Sequence, residues 1–175
     1  VDPDEHGTHV AGIAAGDGTG IAGAPATGVA PDADIVAMQV FSKFDSAKYC
    51  GTAAATPCVR SFTSAQIAAL EKVWQLKQGG TPIVAANLSL GSASYTSACT
   101  KDARKTAIDK LFDAGVPVVL NTDDPDMFHT TLLNEYRIAS EAFAFNDAEL
   151  RELARNSFRA SFLPGDLKQA MLDRF

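Results

Sequence analysis

Apolar positions along this chain follow two periods, and the change between them sets the expected elements. From Thr63 to Gln78, Ile67, Leu70 and Trp74 recur at helical spacing. Thr63 with Gln66 fits a capping box, and Gly79 and Gly80 supply a stop. Residues 100–114 repeat the pattern, with Ala103, Ala107, Ile108 and Leu111 facing inward and Gly115 ending the helix. His6–Ala15 reads as a short Gly/Ala-rich helix. Residues 16–28 read as a loop, because five Gly and one Pro forbid regular structure there. Three short continuous apolar runs, 34–41, 82–90 and 116–120, have the pattern of buried parallel strands.

Beyond residue 120 the strand signals stop. Residues 131–145 place Leu132, Tyr136, Ala139 and Phe143 on one stripe. Asn146 and Glu149 form a capping box for a helix to about residue 160, with Leu150, Leu153, Ala154 and Phe158 inward. Residues 164–175 make a last short helix. Strand–helix–strand–helix–strand at this spacing predicts an α/β fold: a three-layer arrangement with a small parallel sheet of about three strands and flanking helices. The C-terminal third is expected to be all helical, and the 175 residues to form one domain.

Composition adds a seam to that picture. Residues 1–116 hold 12 of the 13 glycines, whereas six of the ten phenylalanines fall in 117–175. No linker marks the change, so the junction is expected inside an element near 110–120. The formal charge of −6 argues against a nucleic-acid partner. The apolar runs are too short to span a bilayer. The chain opens at Val1 without a basic-then-apolar segment and is expected to be a mature piece, or part of something longer. Three cysteines leave at least one thiol unpaired within the chain; Cys50 and Cys58 flank a loop that a local bridge could close. They contain no C-x-x-C pair, which argues against a zinc site.

The first chemical constellation is Asp4-Glu5-His6-Gly7-Thr8-His9-Val10-Ala11-Gly12. A histidine at a helix start, with small residues behind it, can expose a ring nitrogen as general base to a serine. Its bland counterpart is a capping histidine with a core histidine one turn on. The run continues through GVAPDADIVAMQVFS (28–42) and Asn87-Leu88-Ser89-Leu90-Gly91. In that order these motifs resemble the subtilisin-like serine proteases, over about residues 1–119. The resemblance implies His6 as triad base, His9 as a structural residue, and Ser89, Leu90 and Gly91 as the substrate-cleft wall. It also implies a bridged Cys50–Cys58 loop and a secreted ancestor. The triad itself is incomplete. Asp2, Asp4 and Glu5 lack the family's aspartate strand. Ser89, Ser92, Ser94, Ser97 and Ser161 lack its G-T-S-x-A nucleophile segment.

The second constellation is Asn121-Thr122-Asp123-Asp124-Pro125 at the end of the third expected strand, where α/β folds place chemistry. Extended, Asp123 and Asp124 would point to opposite sides, one toward a metal and one toward a ligand. Otherwise Asp124 caps the turn around Pro125, or Asp123, Asp124 and Asp126 form a solvated acidic cluster. The runs GVPVVLNTDDPDMFHTTLLNEY and ELRELARNSFRASFLP resemble the C-terminal part of the adenosine deaminase family, zinc-dependent (β/α)₈ barrels, over about residues 109–175. That resemblance implies Asp123 as a zinc ligand and Asp124 as a partner for a purine ring nitrogen, with a cytoplasmic ancestor. The chain has three histidines, His6, His9 and His129, too few in the right places for that family's site. No cofactor is therefore expected, and zinc only if the site were completed from elsewhere.

The two resemblances overlap around residues 110–119. Counted from the strand, the subtilase oxyanion-hole asparagine falls on Asp124, where a carboxylate would repel a developing oxyanion. The sequence thus reads as a chimera of hydrolase segments with no catalysis expected. Its unpaired strands suggest self-association through an exposed sheet edge.

Overall fold

Local hydrogen bonding decides most of what this chain becomes. The computed structural model describes residues 5–91 and 99–175. Asp2, Asp4, Ser92, Ser94 and Ser97 lie outside those residues. The chain divides into two compact units: Val1–Ala69 with Leu88–Leu90, and Leu70–Asn87 with Gly91–Phe175.

In the first unit, α1 (His6–Ala15) matches its expected bounds. The loop after it folds back onto the helix end. Val29 N donates to Ile13 O at 3.0 Å and Ala30 N to Ala14 O at 2.8 Å. Gly28 permits this approach, since a Cβ there would sit 2.7 Å from Gly16 N and 2.8 Å from Gly12 O. Further on, β1 (Phe41–Phe44) pairs antiparallel with β2 (Cys58–Ser61), Phe41 opposite Ser61 and Phe44 opposite Cys58. The intervening chain forms α2 (Ala47–Cys50) and a single 3₁₀ turn. Cys50 and Cys58 are disulfide-bonded, with Cα atoms 5.6 Å apart. Around the bridge, the Phe44 ring lies 4.5 Å from Tyr49 and 5.7 Å from Phe62.

The second unit is helical. It takes α3 (Thr63–Gln78) from Leu70 onward, then α4 (Lys105–Asp113), α5 (Pro125–Phe128), α6 (Leu132–Phe143), α7 (Asp147–Arg159) and α8 (Gly165–Leu172). Glu71 on α3 pairs with Lys110 on α4 at 2.9 Å, and the same ammonium lies 5.4 Å over the Trp74 ring. Among the described residues, Leu70, Ala107, Leu111, Ala139 and Leu153 are its buried apolar residues. The capping box of α7 is present: Glu149 N donates to Asn146 Oδ1 at 3.1 Å, and Asn146 N to Glu149 Oε2 at 2.8 Å. Thr63, by contrast, stands within the first turn of α3, and Gln66 reaches back to Ser61 Oγ at 3.0 Å.

The small parallel sheet is the main correction to the expected α/β fold. Among the described residues, the sheet is the antiparallel β1–β2 pair, and the runs 34–40, 82–90 and 116–120 carry no ladder. Parallel strands need crossover connections and cover on both faces. β1 instead pairs with the nearby β2 across a short connection that the disulfide closes, which costs less loop entropy than a distant partner. Few large side chains are available to cover a sheet. Val84, Leu88 and Val118 are exposed.

Two side chains anchor the second unit. Asn156, buried on α7, donates from Nδ2 to Val118 O at 3.1 Å, and Arg159 Nη1 donates to Asn156 Oδ1 at 2.9 Å. Asn156→Leu is expected to cost about 1–3 kcal/mol, because it leaves the Val118 carbonyl without its donor; a urea melt checks this. Asp102 accepts from Arg104 Nε at 2.8 Å and from Arg104 N at 2.8 Å. These bonds hold its carboxyl down to about 2, against an ordinary value near 3.8. A carboxylate depressed in the folded state stabilises above its unfolded pKa, and that contribution disappears as pH falls through the folded one. The Asp102 carboxyl carbon is expected to titrate near pH 2 by NMR, and in Arg104→Leu to move up toward the ordinary range.

Candidate functional site

The groups expected to carry chemistry fall into separate units. His6 is the first residue of α1 and is exposed, as is His9. Ser89 and Leu90 belong to the same unit, Ser89 exposed and Leu90 half-buried. Gly91, Asp123 and Asp124 belong to the second unit.

Pro125 and Asp124 shape the region after residue 120. Pro125 stands at the first position of α5, where its fixed φ suits a helix start and its missing N–H costs nothing. Asp124 is the N-cap, its carboxylate accepting from Met127 N at 3.0 Å. Such a cap is worth about 1 kcal/mol. The reading of Asp124 as a turn cap therefore describes its contact in this structure. Asp123 takes a left-handed backbone, φ 55°, which turns the chain into α5.

Asp123 then opens onto a shallow cleft of ≈ 410 Å³, lined also by Asn121, Thr122, His129, Thr130 and Glu135. His129 ends α5 in the left-handed region, φ 50°. One wall is a fixed polar network. The Thr130 hydroxyl donates to the Glu135 carboxylate, and Asn134 Nδ2 donates to Thr130 Oγ1 at 3.1 Å. Thr131 caps α6 by accepting from Asn134 N at 3.2 Å, which places Asn134 and Glu135 in its first turn. The sequence reading placed a helix over 131–145 from its apolar stripe alone; the Asn134-Glu135 dipeptide that begins four residues beyond Thr130 was the available signal for this wall.

Zinc held in the manner of a deaminase needs several converging ligands and an open position. Asp123, His129 and Glu135 share the cleft. Among the described residues, however, no three His, Cys, Asp or Glu side chains converge so as to hold a metal ion. No helix among the described residues is long and apolar enough to cross a membrane.

Comparison with known proteins gives two family matches that overlap over residues 84–120. The subtilase family matches residues 1–120, and the adenosine deaminase family matches 84–175. The chain is 43% identical over 65 residues to an adenine deaminase of Rhizobium leguminosarum, covering 37% of this chain and 20% of that protein. It is 46% identical over 65 residues to an adenine deaminase of Rhizobium rhizogenes, with the same coverage. To a putative adenosine/adenine deaminase of Streptomyces coelicolor it is 49% identical over 63 residues, 36% of this chain and 18% of that one. The chain thus spans about a fifth of the length of the curated relatives it matches. No solved structure matches. Both family matches cover more than half of the 175 residues: the chain belongs to the subtilase family through residues 1–120 and to the adenosine deaminase family through residues 84–175.

Proposed function

We propose that the chain joins a subtilase segment to the end of an adenosine deaminase-family chain, and that its 175 residues hold no complete active site. The join lies within the stretch that both families match, residues 84–120. Both parents place a helix, a glycine and an apolar run there, so propensity and period agree across the seam. That agreement is also the reason to expect one cooperative domain over 1–175.

Asp124 carries the reading. At the place of the subtilase oxyanion donor the chain has a carboxylate, and that carboxylate caps α5. It can supply neither a donor to an oxyanion nor the nucleophile that the family's chain brings later. On the deaminase side, the histidines of residues 1–109 are His6 and His9, three apart in a protease-type motif. One carboxylate from Asp123 cannot lower the pKa of a metal-bound water.

A second reading, a zinc deaminase fragment, is favoured by Asp123 opening on the cleft and by the 43–49% identity of the matched segment to adenine and adenosine/adenine deaminases. Labelling separates the alternatives. A serine-directed phosphonate is expected to leave the chain's mass unchanged, and a zinc titration to find no stoichiometric site. A phosphonate adduct lost in His6→Ala would restore the peptidase reading. Equimolar zinc lost in Asp123→Ala would restore the deaminase one.

A further inference from the structure

We propose that a second copy of this chain pairs antiparallel with residues 34–42, continuing the free edge of β1 into an intermolecular sheet. Residues 34–40 are unbent and lie outside any helix or turn. Among the described residues their amides donate no backbone hydrogen bond. The run leads directly into β1, whose one sheet neighbour among the described residues is β2. Its sequence, Ile35-Val36-Ala37-Met38-Gln39-Val40-Phe41-Ser42, has no charge, glycine or proline. Ile35 is 50% and Val36 52% exposed. The Phe41 carbonyl accepts from Gln39 Nε2 at 2.8 Å, a side-chain bond that a docking strand would displace; an uncharged apolar segment whose backbone amides are open is a template for another strand.

Register argues that the occupant is a copy of the same segment. A two-fold axis through Met38 sets Ile35 opposite Phe41 on one face and Val36 opposite Val40 on the other. Those are a β-branched–aromatic pair and a β-branched pair, the kinds that stabilise antiparallel ladders. The same register sets Asp34 against Ser42, Ala33 against Lys43 and Asp32 against Phe44, so no like charges face each other. Parallel pairing in register would put Asp34 on Asp34 and Lys43 on Lys43. The contact is isologous and closes at two copies. Overall repulsion between two chains of formal charge −6 opposes it, so association should strengthen as salt screens that repulsion.

The test is light scattering across a concentration series, combined with hydrogen exchange. The weight-average mass is expected to rise from 18.4 kDa toward twice that value. Amides of 35–41 should exchange more slowly at high concentration than at low. Val36→Lys places a charge inside the ladder and is expected to raise the midpoint concentration at least about tenfold, with the far-UV spectrum unchanged. A constant mass would overturn the proposal. So would a rising mass with 35–41 unprotected, which would assign association to another surface, such as residues 82–90 or 116–120. The exchange measurement uses the unaltered chain and decides the question even if the variant fails to fold.

Discussion

Leu111→Ala is expected to destabilise the second unit by about 2–5 kcal/mol, the usual cost of removing a buried leucine and leaving a cavity. Leu111 is 5% exposed, and with Ala107 it forms the buried stripe of α4. Few of the described residues share that burden: besides Leu70, the other buried apolar residues of the unit among them are Ala139 and Leu153. A core this thin has little capacity to repack around a void, which places the expected cost in the upper half of the range. Trp74 lies in the same unit, with Lys110 of α4 over its ring, so its fluorescence follows the loss directly. Ile108→Ala, three positions back along the helix and 45% exposed, is expected to cost less, about 1 kcal/mol, because nearly half of its surface stays in water. Similar costs for the two substitutions would mean that α4 does not bury the face assigned to it.

Reducing the Cys50–Cys58 bridge is the second large effect. The bond closes a loop with a sequence separation of 8, and the loop-entropy relation gives about 2–3 kcal/mol for a ring of that size. The bridge also ties the start of β2, where Cys58 is opposite Phe44 in the ladder, to α2, and the Phe44, Tyr49 and Phe62 rings pack on one another in the same unit. Cys50→Ser with Cys58→Ser is expected to speed exchange of the β1 and β2 amides and to lower the urea midpoint of the first unit. If exchange in β1 and β2 were unchanged, the hairpin would be held by its ladder and aromatic contacts alone.

Elements set by local chemistry were legible in the sequence. Asn146 and Glu149 announced α7, and the structure pairs them as a capping box. α1 and α3 keep their expected bounds. α4 begins at Lys105, later than expected, because Asp102 binds the Arg104 amide and side chain and holds the preceding turn. α5 was missed because it rests on one cap and one proline rather than on periodicity. The parallel sheet was misjudged for a different reason. An apolar run of four to nine residues shows that a segment suits burial but not which strand lies beside it. Partner choice went to the nearby β1–β2 pairing, and the bridge that favours it was left open by spacing alone. Of the candidate site, Asp123 was legible from its dipeptide and strand end, whereas the Thr130–Asn134–Glu135 wall depends on how α6 begins.

Turnover tests the central claim most directly. The purified chain, with zinc supplied, would be followed for peptide-bond cleavage in an unstructured polypeptide and for ammonia release from adenine and adenosine. The account predicts that neither rate exceeds that of the His6→Ala, Asp123→Ala double variant. Sustained turnover in the unaltered chain, lost in either single variant, would contradict it and show that one of the two sites is complete.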